Sequence, residues 1–219
     1  MRQLKHVAAA SCIALATLLA PTVSQADVIG SAYLNNAAAT NAIIGFSHGV
    51  ADVTFSVPSP SNGACTGIFT GDTLCFNTGN SSVSTLQDFL TSGGATVLTG
   101  SSAALASPFN NTVFEFSGTV TVTNGQLFQA GHDDGLQLMI DGLLVINAPG
   151  PTGFTSTPAT YTGPSGTFVF DLVYGECCGG PANLDIALPF TTASVPEPAM
   201  LALSLVGLLG LALTRRKHS

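Results

Sequence analysis

The residues best placed to do chemistry are two consecutive aspartates within His132-Asp133-Asp134-Gly135-Leu136-Gln137-Leu138-Met139-Ile140-Asp141-Gly142. Adjacent carboxylates before a glycine suit an ordinary turn, in which Asp side chains accept from nearby amides. The other reading of such a pair is a hard cation such as calcium, which takes about six to eight oxygen ligands. Some residues later, Gly175-Glu176-Cys177-Cys178-Gly179-Gly180 adds a third carboxylate in a loop. Asp141-Gly142 reads as a structural hairpin turn, because Gly supplies the positive φ that a tight turn needs. His48 and His132 are too few and too far apart in sequence to suggest zinc. His132 is expected in a loop beside the Asp-Asp turn, not as a ligand.

Charge sharpens the choice. All five Lys and Arg residues (Arg2, Lys5, Arg215, Arg216, Lys217) lie at the two ends, and all twelve carboxylates lie between Asp27 and Glu197. A body from Asp27 to Pro198 therefore carries −12 with His neutral. Such a surface repels nucleic acid and anionic membranes. Close carboxylates in it have no internal cation, so protons, water or a bound metal must neutralise them. An enzyme is not expected. No Gly-x-Ser-x-Gly, no His-Glu-x-x-His and no phosphate loop ending in Lys occurs, and nothing singles out a glycosidase pair. The absence of Trp counts modestly against strong glycan binding.

The elements that must position these groups read as strands. Thr112 to Thr123 alternates, with Phe114, Phe116, Val120 and Val122 on one face and Glu115, Ser117, Thr119 and Thr121 on the other. Leu136 to Ile140, Leu143 to Ile146, Phe168 to Tyr174 and Leu184 to Leu188 continue the pattern, after Val28 to Leu34 and Asp52 to Val57. One helix is predicted. Ser84 and Gln87 form its capping box, Leu86, Phe89 and Leu90 its apolar side, and Gly93-Gly94 its stop. Pro58 to Gly63 and Pro149 to Pro164 read as loops. The body is about 170 residues, one domain with a sizeable core. It is expected to be all-β, a sandwich or barrel of antiparallel strands with one short helix.

Both ends carry address signals. Residues 1–26 have a basic start, an apolar run from Val7 to Ala20 and Ser24-Gln25-Ala26, a secretory signal cut after Ala26. At the other end, Val195-Pro196-Glu197-Pro198 precedes an apolar helix over 199–214 and the basic end Arg215-Arg216-Lys217. Those cations stay cytoplasmic and leave the body outside. Cys12 departs with the signal. Cys65, Cys75, Cys177 and Cys178 then form an even set in an oxidising compartment. Pairing Cys65 with Cys75 and Cys177 with Cys178 is favoured, with free thiols and cross-pairing still open.

The tail over 195–219 resembles the PEP-CTERM sorting signal. That resemblance implies an exosortase-type processing enzyme in the inner membrane of a Gram-negative bacterium that makes exopolysaccharide. It also implies transient anchoring through the C-terminal helix, then a place on the cell surface or in the extracellular matrix. From Gly131 to about Leu188 the sequence is similar to the protective-antigen-type domain, a β-sandwich found in toxins, glycosidase appendages and flocculin adhesins. The resemblance implies a single jelly-roll-like sandwich over 27–194. It also implies calcium on Asp133 and Asp134, joined by a cis peptide. Glu176 stands where the adhesins carry an asparagine, and the carbonyls of Cys178 and Gly180 complete the set. A sugar of an extracellular polysaccharide would then coordinate the ion. A structural matrix protein without a ligand is the alternative, and a glycan-active enzyme a remote one.

Processing is directly measurable. Mass spectrometry of the mature extracellular protein should find Asp27 at the start and nothing after the Pro196-Glu197-Pro198 region. Retention of Arg215-Arg216-Lys217 would leave a plain membrane anchor.

Overall fold

In the computed structural model, residues 28–58 and 73–189 are described. The signal (1–26), the tail (195–219) with Pro196, Glu197 and Pro198, and Cys65 lie outside them. Among the described residues no helix is long and apolar enough to cross a membrane.

Among the described residues there are eleven strands: β1 (Val28–Tyr33), β2 (Val53–Val57), β3 (Thr73–Asn80), β4 (Thr96–Gly100), β5 (Thr112–Val122), β6 (Leu127–Asp133), β7 (Gly135–Ile140), β8 (Leu143–Ala148), β9 (Thr155–Thr160), β10 (Gly166–Glu176) and β11 (Pro181–Ala187). They make two antiparallel sheets, β4-β2-β1-β5-β10-β7-β8 and β3-β11-β6-β9. The long central pair β5 and β10 registers Phe116 with Leu172 and Phe114 with Tyr174. The alternation read in β5 holds, with Phe114, Phe116, Val120 and Val122 buried between the sheets. The Asp141-Gly142 turn also holds: both residues have positive φ, at 51° and 75°, and Ile140 pairs with Leu143.

The helical content exceeds the one helix expected. Besides α1 (Leu86–Ser92), the chain forms α2 (Ser102–Leu105) and a 3-10 turn over Ala37–Thr40. The cap of α1 sits one residue later than predicted. Thr85, not Ser84, is extended at φ −86°, and its hydroxyl accepts from the Asp88 amide while the Asp88 carboxylate accepts from the Thr85 amide. Ser84 is unavailable because its amide is already turned onto the Asn80 carbonyl. The stretch Pro149 to Pro164, expected as loop, contains β9. This strand lies at a sheet edge, where Pro158 is tolerated, and its small polar residues carry no apolar alternation. His132 is likewise not a loop residue. It belongs to β6 and is buried.

One end of the core is aromatic. Phe89 of α1 stacks on Phe76 at 5.0 Å, meets Phe114 at 4.7 Å and lies parallel to Tyr174 at 6.1 Å. Ring pairs at such distances add attraction beyond area burial. Phe89→Ala should therefore destabilise the fold by about 3–5 kcal/mol, and Thr85→Ala by about 1 kcal/mol through loss of the cap. Urea denaturation checks both; equal, small effects would mean that α1 is not docked as described.

Candidate functional site

The chain crosses between the sheets twice at the same end of the sandwich. β6 ends at Asp133, paired with Asn183 in the small sheet, and β7 begins at Gly135, paired with Gly175 in the large one. Asp134 is the whole connection, and the Asp133–Asp134 peptide is cis. The second crossing runs from Glu176, the last residue of β10, through Cys177-Cys178-Gly179-Gly180 into β11. Gly135 is required here. A Cβ on it would stand 2.1 Å from the Pro149 carbonyl oxygen, which itself accepts from the Ala42 amide at 2.9 Å. Only a glycine lets the 149–154 segment lie against the crossing.

Both aspartates are nearly buried, Asp133 at 8% exposure and Asp134 at 5%. The Asp134 carboxylate is held by backbone donors: the Thr152 amide reaches Oδ1 at 3.1 Å and the Cys177 amide reaches Oδ2 at 2.8 Å. Three segments thus converge on one side chain. His132 steadies the crossing, with Nδ1 at the Asp134 carbonyl and Nε2 at Thr157 Oγ1, 2.8 Å away. Burial pushes the Asp133 carboxyl up, the Asp134 charge adds to this, and the Phe154 amide opposes it.

Glu176 faces the core. Its carboxyl is fully buried, with Oε2 at 2.7 Å from the Tyr174 hydroxyl, which also reaches the Asp133 carbonyl. A phenol has one proton and cannot donate to both at once; a proton on Glu176 satisfies the three-centre arrangement. Burial is the largest cause that pushes the Glu176 carboxyl up to about 8, helped by Asp134 and Asp133 and opposed by the nearby Ser81 and Tyr174 hydroxyls. Oε1 is buried without a hydrogen bond of normal geometry.

The second loop departs from expectation at the cysteines. Cys177 and Cys178 are both free thiols, not an adjacent-residue bridge. Consecutive side chains leave the backbone in different directions. Cys177 packs inward among Ala39, Ala42, Val113 and Val173, whereas Cys178, at φ 67°, is exposed. Burial pushes the Cys177 thiol well up, so it stays protonated and unreactive. Cys75 is disulfide-bonded, and its expected partner, Cys65, lies outside the described residues. Gly180, named for its carbonyl, already receives the Ser81 amide at 3.0 Å. Among the described residues, the metal-ligating side-chain atoms that gather in a trio within 4.8 Å belong to Asp134, Cys177 and Cys178. Asp133 and Glu176 stand outside that trio. Thr152 and the Cys177 amide carry no sequence signal, since they act through the backbone; Tyr174 was read only as a core residue.

The raised Glu176 carboxyl has a consequence for stability. The metal-free fold holds this proton more tightly than the unfolded chain, so the contribution is complete below the ordinary value of 4.5 and is lost as pH rises toward about 8. Glu176→Gln should flatten that decline and stabilise the metal-free protein at the alkaline end, by an amount on the order of a few kcal/mol. Thermal melts across the window measure it; an unchanged slope would mean that Glu176 does not carry the proton.

Comparison with known proteins bears on the tail and on the fold. Residues 194–217 match the PEP-CTERM protein-sorting motif. No curated protein matches the sequence. The fold is similar to a PA14 sugar-binding domain from an RTX adhesin, at 15% identity and a TM-score of 0.53 over 75% of this chain and 90% of that one. It is also similar to the PA14 domain of the MpAFP antifreeze protein, at 20% identity and 0.52 over 78% and 84%. This chain carries a PEP-CTERM sorting tail behind a body with the PA14-type β-sandwich fold.

Proposed function

We propose that this chain is an exported surface or matrix protein, released from its tail by an exosortase-type enzyme. Its sandwich binds an extracellular carbohydrate, without catalysis, through a calcium ion held at Asp133 and Asp134. The observation that carries this reading is the convergence of two inter-sheet crossings and the 149–154 segment on two buried carboxylates, in a body without lysine or arginine. Sorting motif and adhesin-like fold point the same way.

The oxygen donors of Asp133 and Asp134 fit a hard ion. Calcium would supply open coordination positions to sugar hydroxyls. Glu176 would join only by giving up its proton and its place beside Tyr174. The thiols near Asp134 favour a second reading, a softer ion such as zinc on Asp134, Cys177 and Cys178.

Melting of the full-length protein separates these readings. Calcium at a hundredfold excess over its dissociation constant should stabilise by about 2.7 kcal/mol, and chelator should reverse the gain. Asp134→Asn should lose most of that response, while Asp141→Asn in the hairpin should keep it. Stabilisation by zinc alone, abolished by Cys178→Ser, would assign the softer ion. If parent and variants melt alike with calcium and with chelator, the aspartates form only a turn. Where calcium does stabilise the parent, glycan-array binding that vanishes with chelator would identify the ion as the sugar's partner.

A further inference from the structure

We propose, resting on the calcium reading of this end, that a thiophilic divalent ion held by Asp134, Cys177 and Cys178 excludes calcium from Asp133 and Asp134. The thiols are then not a substitute for the hard site but its rival, and the soft ion regulates it. The two ligand sets compete because they share one side chain.

The rival set is already gathered. The ligand atoms of Asp134, Cys177 and Cys178 lie within 4.8 Å of one another. A small contraction brings them onto one ion, whose bonds to oxygen and sulfur are about 2.0–2.3 Å long for zinc. The Cys177 thiol is turned toward both the Asp134 carboxylate and the Cys178 sulfur. Neither thiol is taken up in a disulfide, and Cys178 is exposed, which gives an ion a way in from solvent.

The loop that carries the thiols is pinned on both sides. Before Cys178, the Cys177 amide holds Asp134 Oδ2 at 2.8 Å. After it, the Gly179 amide donates to Asn110 Oδ1 at 3.2 Å and the Gly180 carbonyl accepts from the Ser81 amide at 3.0 Å. A Cβ on Gly179 would stand 2.8 Å from Ser82 Oγ, so the loop lies close against that turn. Two thiols and a carboxylate are therefore presented together.

Ligand chemistry separates the two ions, and Asp134 makes them exclusive. Thiolates select zinc and softer ions, whereas calcium takes oxygen. Asp133 stands outside the trio and belongs to the hard set alone. Asp134 belongs to both. Its Oδ1 and Oδ2 each accept one amide, from Thr152 and from Cys177, which fixes the carboxylate and leaves each oxygen one further acceptor position. An ion at the thiols occupies one of these and draws the carboxylate charge onto itself. Calcium then loses an oxygen ligand and much of the attraction that would hold it.

Calorimetric titration of the full-length protein with calcium, with and without one equivalent of zinc, tests the exclusion. Zinc should weaken calcium binding by about tenfold, within the usual range for linked sites. Cys178→Ser should abolish that difference, since serine keeps the backbone and removes a soft ligand. Reciprocally, excess calcium should bleach the thiolate charge-transfer absorption of bound cobalt(II), which reports sulfur as a ligand. Calcium binding that zinc leaves unchanged, or cobalt bound without thiolate absorption, overturns the exclusion and spares the calcium reading. Zinc antagonism that persists in Cys178→Ser also overturns it, because zinc would then displace calcium at the carboxylates alone. A parent that gives no calcium signal in either titration overturns the calcium reading as well.

Discussion

A body with no lysine or arginine must settle its buried carboxylates without those cations. Each solution among the described residues is local and specific. Even the exposed acids find backbone donors: Asp52 takes the Leu34 amide and Asp88 closes the α1 capping box. Asp134 takes two amides from different segments. Glu115 takes a phenol, and Glu176 pairs with another. Burying an unpaired charge costs several kcal/mol, so these donors decide where the acids can sit. Backbone amides are fixed by the fold, and hence the acids are fixed with them.

That constraint ties the core to the site. The aromatic end of the sandwich orients Tyr174, whose ring lies beside Phe89 and Phe114 and whose hydroxyl reaches both the Asp133 carbonyl and Glu176. The same strand continues into the Cys177 amide that grips Asp134. Core packing and ligand geometry are therefore properties of one strand, β10. The cation proposed for this end would find the Asp134 carboxylate already placed by backbone donors.

Outside the cell this chemistry has a use. The negative body repels anionic polymers unless a divalent ion bridges them. The sorting motif over 194–217 indicates export and membrane-anchored sorting of such a body.

The sequence by itself determined the strand faces of β5 and β10, the Asp141-Gly142 hairpin, the sorting motif of the tail and the Asp-Asp pair. Each rests on local periodicity, turn stereochemistry or charge counting, and needs no knowledge of distant neighbours. It read Glu176 as a loop residue, whereas the structure makes it the last residue of β10. Only the tertiary structure turned that carboxyl inward to Tyr174, because the face of β10 that it shares is the core face. Only the tertiary structure left Cys177 and Cys178 as separate thiols, one packed and one exposed. The edge strand β9 and the buried place of His132 were equally illegible. Their partners are backbone groups or residues tens of positions away, and sequence pattern records what a residue is, not which amide the fold will bring to it.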